Sequence, residues 1–330
     1  MAAVRRSVSA AFAALTICHP LPAQTPERYN LSGDLIAIYN LAGVLSAEAG
    51  SGSRVVVEVT RGGTDAAKLS VKTGTLGREE ALRVTYPDTR IVYAPLGRNS
   101  STTLRVNDDG SLDGGDVNGR RVTISGDGPG LDAHADLKVL VPPGRRVAFH
   151  LGVGRISIVN VNGELYASAA SGDVSATGYK GSLDIETGSG DVKVKDGSGN
   201  LKVETGSGDV TLNRIQGDEL RVETGSGDVA ASDVSSGRTS WETGSGDASL
   251  GLSGPLSKLK VETGSGDVSV KVPQQFAGDL QIETSSGDDV EIGFPVQLVR
   301  KGDSEFHARI GDGSGEIRIE TGSGKVTLTR

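Results

Sequence analysis

The chain has 330 residues, enough for one extended architecture or two ordinary domains, and 48 of them are glycine, roughly twice the usual share of about 7%. The glycine comes without a Pro-rich triplet period, which excludes collagen, and no apolar run after the first thirty residues approaches the roughly 18 residues of a spanning helix. The formal net charge is −8 with both signs interleaved, so no basic stripe is offered to a phosphate backbone and nucleic acid is not an expected partner.

Residues 1–23 read as a signal peptide. Met1 to Arg6 is basic, Ser7 to Ile17 is mostly apolar, and Leu21-Pro22-Ala23 supplies a small residue for cleavage before Gln24. The branched Ile17 before Cys18 fits lipoprotein processing poorly. Cleavage removes Cys18, the only cysteine, with Arg5 and Arg6, and leaves a formal charge of 32 − 42 = −10. The mature chain is therefore expected to lack disulfides, thiolate chemistry, Cys-type metal sites and any transmembrane span, and to be exported to the periplasm, the outer surface or the medium.

Residues 24–165 read as an irregular β domain that caps or begins the repetitive half of the chain. Val55-Val-Val-Glu-Val, Leu82-Arg-Val-Thr-Tyr, Arg121-Val-Thr-Ile and Leu137-Lys-Val-Leu-Val are strand-like, and Glu48-Ala-Gly-Ser-Gly shares the vocabulary of the second half. The polar stretch from Arg98 to Gly119 is expected to be a loop.

Residues 166–330 are dominated by a hexapeptide. Glu-Thr-Gly-Ser-Gly-Asp starts at Glu186, Glu204, Glu223, Glu242 and Glu262, with variants at Ser168, Glu283 and Glu320. The period is about 19, and the last gap, 283 to 320, reads as two periods with one blurred copy. Leu201-Lys-Val-Glu-Thr before the hexapeptide and Asp209-Val-Thr-Leu across it alternate apolar and polar in opposite parity, so the Gly-Ser-Gly-Asp between them must be a bend. One such coil buries too little apolar surface to offset the ordering of its backbone, whereas stacked coils share one core and satisfy each other's backbone. The expected fold is an all-β, right-handed parallel β-solenoid with about 19 residues per coil. Trp241 falls in the column of Val203, Val222 and Val261, while its neighbour Thr239 replaces a leucine, which points to a packed indole.

These Leu-x-Val-Glu-Thr-Gly-Ser-Gly-Asp-Val repeats, the Val-Pro-Pro-Gly at Val141 to Gly144 and the leader resemble the bacterial "putative adhesin" family of β-helix proteins. The resemblance implies an exported β-helix and brings no catalytic residues with it.

Stacking turns sequence columns into ladders about 4.8 Å apart. Glu186, Glu204, Glu223, Glu242, Glu262 and Glu283 form one, and Asp173, Asp191, Asp209, Asp228, Asp247, Asp267 and Asp288 a second. Adjacent carboxylates at that spacing repel by about 1 kcal/mol even in bulk water. Lys202, Arg221 and Lys260, each two residues before its Glu, supply part of the counter-charge, and a solvated acidic face is expected rather than a Ca²⁺ site. The glutamates, with Asp191, Asp209, Asp228, Asp247 and Asp267, are the candidate binding residues. Thr187, Thr205, Thr224, Thr243, Thr263 and Thr284, with the Ser two residues later, are expected to form internal or corner hydroxyl ladders rather than an ice-binding face. Acidic groups repeated in every coil suit architecture better than one reacting centre, and none of His134, His150 and His307 is near a recognisable Ser or metal partner for catalysis. The sequence thus points to a non-enzymatic, monomeric scaffold or adhesin-like module of the envelope or surface, without cofactor or metal, whose partner is an envelope polysaccharide or surface protein. The alternative is a polysaccharide-binding or polysaccharide-cleaving β-helix.

Overall fold

The computed structural model describes residues 26–112, 119–285 and 289–330. The signal peptide and Asp288 therefore lie outside the described residues. The regular structure is strand, with two three-residue 3-10 turns, Ala66–Lys68 and Ala94–Leu96. Parallel pairing links each repeat to the next in register: Val174 pairs with Val192, Val192 with Val210, Val210 with Val229, Val229 with Ala248 and Ala248 with Val268. The offset is 18 to 20 residues, so the sequence period is the length of one layer.

Two corners shape each layer. At the first, Gly190, Gly208, Gly227, Gly246 and Gly266 have φ between 139 and 145°. A Cβ on Gly208 would lie 2.2 Å from the carbonyl oxygen of Gly190 below it, so both the backbone conformation and the neighbouring layer demand glycine. The second corner is occupied by Asn160, Gly178, Asp196, Arg214 and Asp233 in the left-handed region, and periodicity alone does not predict it. Its signal is a column of polar or glycine residues, each followed by an inward position: Val161, Tyr179, Gly197, Ile215 and Val234. Tyr179 is buried there because its successor is glycine; a Cβ on Gly197 would sit 2.1 Å from the tyrosine ring.

The stack begins well upstream of the first recognisable repeat. Strand Leu35–Ala49 pairs in parallel with strand Arg145–Val159, which in turn pairs with Asn162–Ser171 and Val174–Thr177. Gly43 and Gly154 take the first-corner conformation, with φ of 137 and 138°. The repeat-like Glu48-Ala-Gly-Ser-Gly is not a corner: Glu48 is in the strand and pairs with Val159. Residues between these two layers cover the end of the stack. Strand His134–Val141 runs beside Leu45 to Ala49, and buried Asn40 donates to the carbonyls of Ala42 and Ala135 while accepting from Tyr86. Part of the expected loop at 98–119 is also strand, since Ser101–Val106 pairs antiparallel with Arg120–Ser125; residues 113–118 lie outside the described residues. One hydrophobic cluster runs from Leu31 to Leu328, so the N-terminal half shares its core with the repeats.

The other end departs from sequence order. Strand Lys258–Ser265 pairs with Gly315–Thr321, and only then does Gly315–Thr321 pair with Gly278–Glu283. Likewise Val268–Lys271 pairs with Val326–Thr329, which pairs with Val290–Ile292. The final repeat is inserted between its two predecessors. The 37-residue gap is not a blurred coil: it holds an antiparallel hairpin, Gln297–Lys301 with Glu305–Ile310, whose second strand closes the edge of Gly278–Glu283.

Trp241 is 2% exposed, in the column with Val222 and Val261, as the residue compensation at Thr239 implies. Its Nε1 and the Thr239 hydroxyl are buried without hydrogen-bond partners. Trp241→Val is expected to cost about 2–4 kcal/mol through the cavity it leaves. Adding Thr239→Leu, which restores leucine to the neighbouring column and leaves neither orphaned polar atom in the double variant, should recover more than half of that in denaturant unfolding.

Candidate functional site

The two acidic ladders have different surroundings. Each aspartate carboxylate is used by the backbone of the next layer: the amides of Asp191, Asp209, Asp228, Asp247 and Asp267 donate to Oδ1 of Asp173, Asp191, Asp209, Asp228 and Asp247 at 2.8 to 3.2 Å. The donated N–H stabilises each negative charge beside its neighbour, so aspartate at this corner is explained by architecture. Lys325, which replaces aspartate in the final copy, continues the chain with its amide 2.7 Å from Asp267 and sends its Nζ to Glu291 at 2.5 Å.

The glutamate column runs Tyr39, His150, Ser168, Glu186, Glu204, Glu223, Glu242, Glu262, Glu320, Glu283, Glu305 in spatial order. Glu320 and Glu305, which sequence order did not place there, belong to it, and Glu262 and Glu283 are not neighbours. Alternation in the strand turns the Leu and Val of each repeat inward and the Glu outward. The expected pairing of each glutamate with the residue two before it is met by Lys202 with Glu204 and Lys260 with Glu262, both at 2.6 Å, and by Arg221 with Glu223 and Arg318 with Glu320. At Glu242 the corresponding residue is Ser240, which brings no cation.

Beside this column lies a second stripe of glycines, with Gly188, Gly206, Gly225, Gly244, Gly264 and Gly322 in successive layers. A Cβ on any of the last five would come within 2.6 Å of the carbonyl oxygen of the glycine below. Having no side chains, these residues leave a trough of ≈ 1230 Å³ along the stack, lined by the glutamate column from Ser168 to Glu305 and by the threonine column beside it. Across the eight layers from Ser168 to Glu283 its length is roughly 34 Å. The threonines face inward: Thr187, Thr205, Thr224, Thr243, Thr263, Thr284 and Thr321 are buried, and Thr187, Thr243, Thr263 and Thr321 donate to glycine carbonyls of the corner at 3.2 to 3.4 Å. The serines two residues on are exposed, contrary to the shared parity expected of them, because the chain turns at the intervening glycine.

Periodicity breaks at one end of the trough. There the cation column carries Tyr166 and Asp184, paired across adjacent layers, instead of Lys or Arg. Tyr166 donates to Glu186 Oε2 at 2.5 Å, and His150 lies between the Tyr39 ring, stacked at 4.4 Å, and the Tyr166 ring at 5.4 Å. The Asp184 side chain is 38% exposed with Oδ1 buried and unpartnered, and Lys202 is 3.9 Å away. Burial raises the Asp184 carboxyl above its usual range; Lys202 opposes this, and Glu186 and Glu204 reinforce it. His134 sits against Tyr93 in the N-terminal cap and His307 pairs with Gln281 near the opposite end, so the structure does not bring the three histidines together. Among the described residues, no group of three or more His, Cys, Asp or Glu side chains is arranged to hold a metal ion.

Residues 176–329 match the family described as Toastrack DUF4097. The matched family is a domain of unknown function, and the matched segment contains every complete hexapeptide, so the resemblance seen in the repeats extends over that part of the chain. No curated protein matches the chain. Among solved structures, a "putative cell adhesion protein" from Clostridium sporogenes is similar at 12% identity, covering 92% of this chain and 99% of its own, with a TM-score of 0.24.

Because the folded-state pKa of Asp184 is raised, ionisation of its carboxyl opposes folding at neutral pH, and this penalty is relieved as pH falls through the folded value towards the unfolded one. Asp184→Asn is therefore expected to raise Tm at neutral pH. The advantage should vanish below about pH 3.8, the ordinary carboxyl value, when thermal unfolding is followed across pH.

Proposed function

We propose that this protein is an exported, non-enzymatic scaffold or adhesin-like module of the cell envelope or surface, built as a right-handed parallel β-solenoid. Its partner is an extended envelope polysaccharide or a surface protein lying along the trough. The observation that carries this reading is the trough itself, in which Glu, Thr and Gly recur in layer after layer. A surface repeated at about 4.8 Å offers many equivalent weak contacts to a long partner and no unique position for one reacting bond. The carboxylates that Lys and Arg leave exposed favour a partner with amino, amide or hydroxyl donors over an anionic one. The basic and apolar leader of residues 1–23 supports export.

A second reading, polysaccharide cleavage, draws on the break in periodicity where Tyr166, Asp184 and Glu186 adjoin. A carboxyl raised above its usual range by burial, with a second carboxyl two residues away, is the kind of pair that glycoside hydrolysis draws on.

Two measurements in the native host test the proposal. Protease treatment of intact cells, alongside fractionation, should find the protein on the surface or in the periplasm, and a cytoplasmic protein would refute the reading. Purified protein carrying Glu204→Gln, Glu223→Gln and Glu242→Gln should fold as the wild type does yet bind isolated envelope several-fold more weakly. Unchanged binding would remove the trough from the function. Release of new reducing ends by wild type, abolished in Asp184→Asn, would establish the second reading instead.

A further inference from the structure

Neither the repeats nor the trough accounts for the position of the last layer. Strands Gly315–Thr321 and Val326–Thr329 lie between a layer that ends at Lys271 and one that begins at Gly278, and they pair in parallel with both. Among the described residues, they carry all the strand pairing that joins the end cap, residues 278–310, to the body of the stack. Gly278–Glu283 otherwise pairs with its own hairpin, and Val290–Ile292 pairs only with Val326–Thr329. With the C-terminal strands withdrawn, the cap would hold on only through its covalent link and both flanking layers would present unpaired edges.

Such a slot has defined chemistry. It takes two short strands in parallel register, with Ile317, Ile319, Val326 and Leu328 buried in the core columns and Glu320 and Lys325 continuing the two outer ladders. Residues 315–329 of this chain meet all of these requirements, and every copy of the protein carries them. We propose that the slot is a strand-exchange site for a second copy of the same protein, closed in the monomer by the chain's own C-terminal strands.

The connection before the slot determines which copy fills it. Ile310 and Gly315 both pair with Gly278, one on each side, so residues 311–314 carry the chain around the start of a single strand. This turn is tight. Gly311 has φ of 59°, and a Cβ on Gly313 would meet the Ala277 carbonyl oxygen at 2.1 Å. Four residues suffice for closure within one chain only in this conformation, and a loop too short to turn leaves exchange between copies as the way to fill the same contacts. The end of the stack is thus guarded by burial of its C-terminal strands. The outermost edge, Gln297–Lys301, is separately protected by a β-bulge between Leu298 and Arg300 and by the charges of Arg300 and Lys301.

The test deletes Asp312 and Gly313 from the full chain. Light scattering should show the wild type as a monomer and the variant as a dimer or larger assembly, in which hydrogen exchange protects residues 278–283 and 315–321 as in the wild type. A variant that stays monomeric, or that assembles with residues 315–321 unprotected, overturns the proposal. Should the deletion also abolish protection across residues 183–270, the full chain carrying Ile319→Asp is mixed with a synthetic peptide of residues 312–330. One-to-one binding that slows exchange at residues 278–283 by about tenfold or more sustains the exchange site, and absence of binding overturns it.

Discussion

The structure depends on one close approach, in which the backbone of each layer passes over the carbonyl oxygen of the layer below at a distance that leaves no room for a side chain. At Gly208, Gly227, Gly246 and Gly266 a Cβ would come within 2.2 Å of that oxygen, and the φ near +140° would itself strain any L residue. The glycine excess follows from this contact. So does the first of the two corners in each layer, and so does the side-chain-free stripe that becomes the trough.

Once the layers are locked in register, like residues are forced together, and each column must find its own counterbalance. The aspartates do so through the backbone, each accepting an amide from the layer above. The glutamates do so through Lys202, Arg221, Lys260 and Arg318 on the adjoining column. The threonines turn inward, and Thr187, Thr243, Thr263 and Thr321 donate to corner carbonyls. Packing obeys the same logic of compensation along a column, since Tyr179 is followed by Gly197 and Trp241 is accompanied by Thr239. Of the two acidic ladders, the glutamate one borders the trough.

A stack must also end. At one end the described residues that follow the first layer in sequence, 50–112 and 119–144, supply the covering strands and Tyr86, which donates to Asn40. At the other end the chain forms its outer layer and hairpin before its last inner layer. Lys325 and Arg330 therefore lie inside or against the structure, with Lys325 between Asp267 and Glu291 and the Arg330 guanidinium 4.8 Å from the centre of the Phe294 ring.

Local pattern made much of this legible. The hexapeptide and its alternating flanks determined an all-β chain with layers of about 19 residues, an inward Trp241, buried threonines and a glutamate face carrying its own cations, because each of these follows from strand periodicity and the spacing of one repeat. Sequence could not show that Gly43 and Gly154 open the stack, since the residues between those layers interrupt the period. Nor could it show that Glu320 stands between Glu262 and Glu283: the final copy carries the same inward and outward residues and fits either position equally well. That order was decided only in three dimensions, where the hairpin at 297–310 occupies the outer edge of Gly278–Glu283 and the four-residue turn at 311–314 directs the last strands to its inner side.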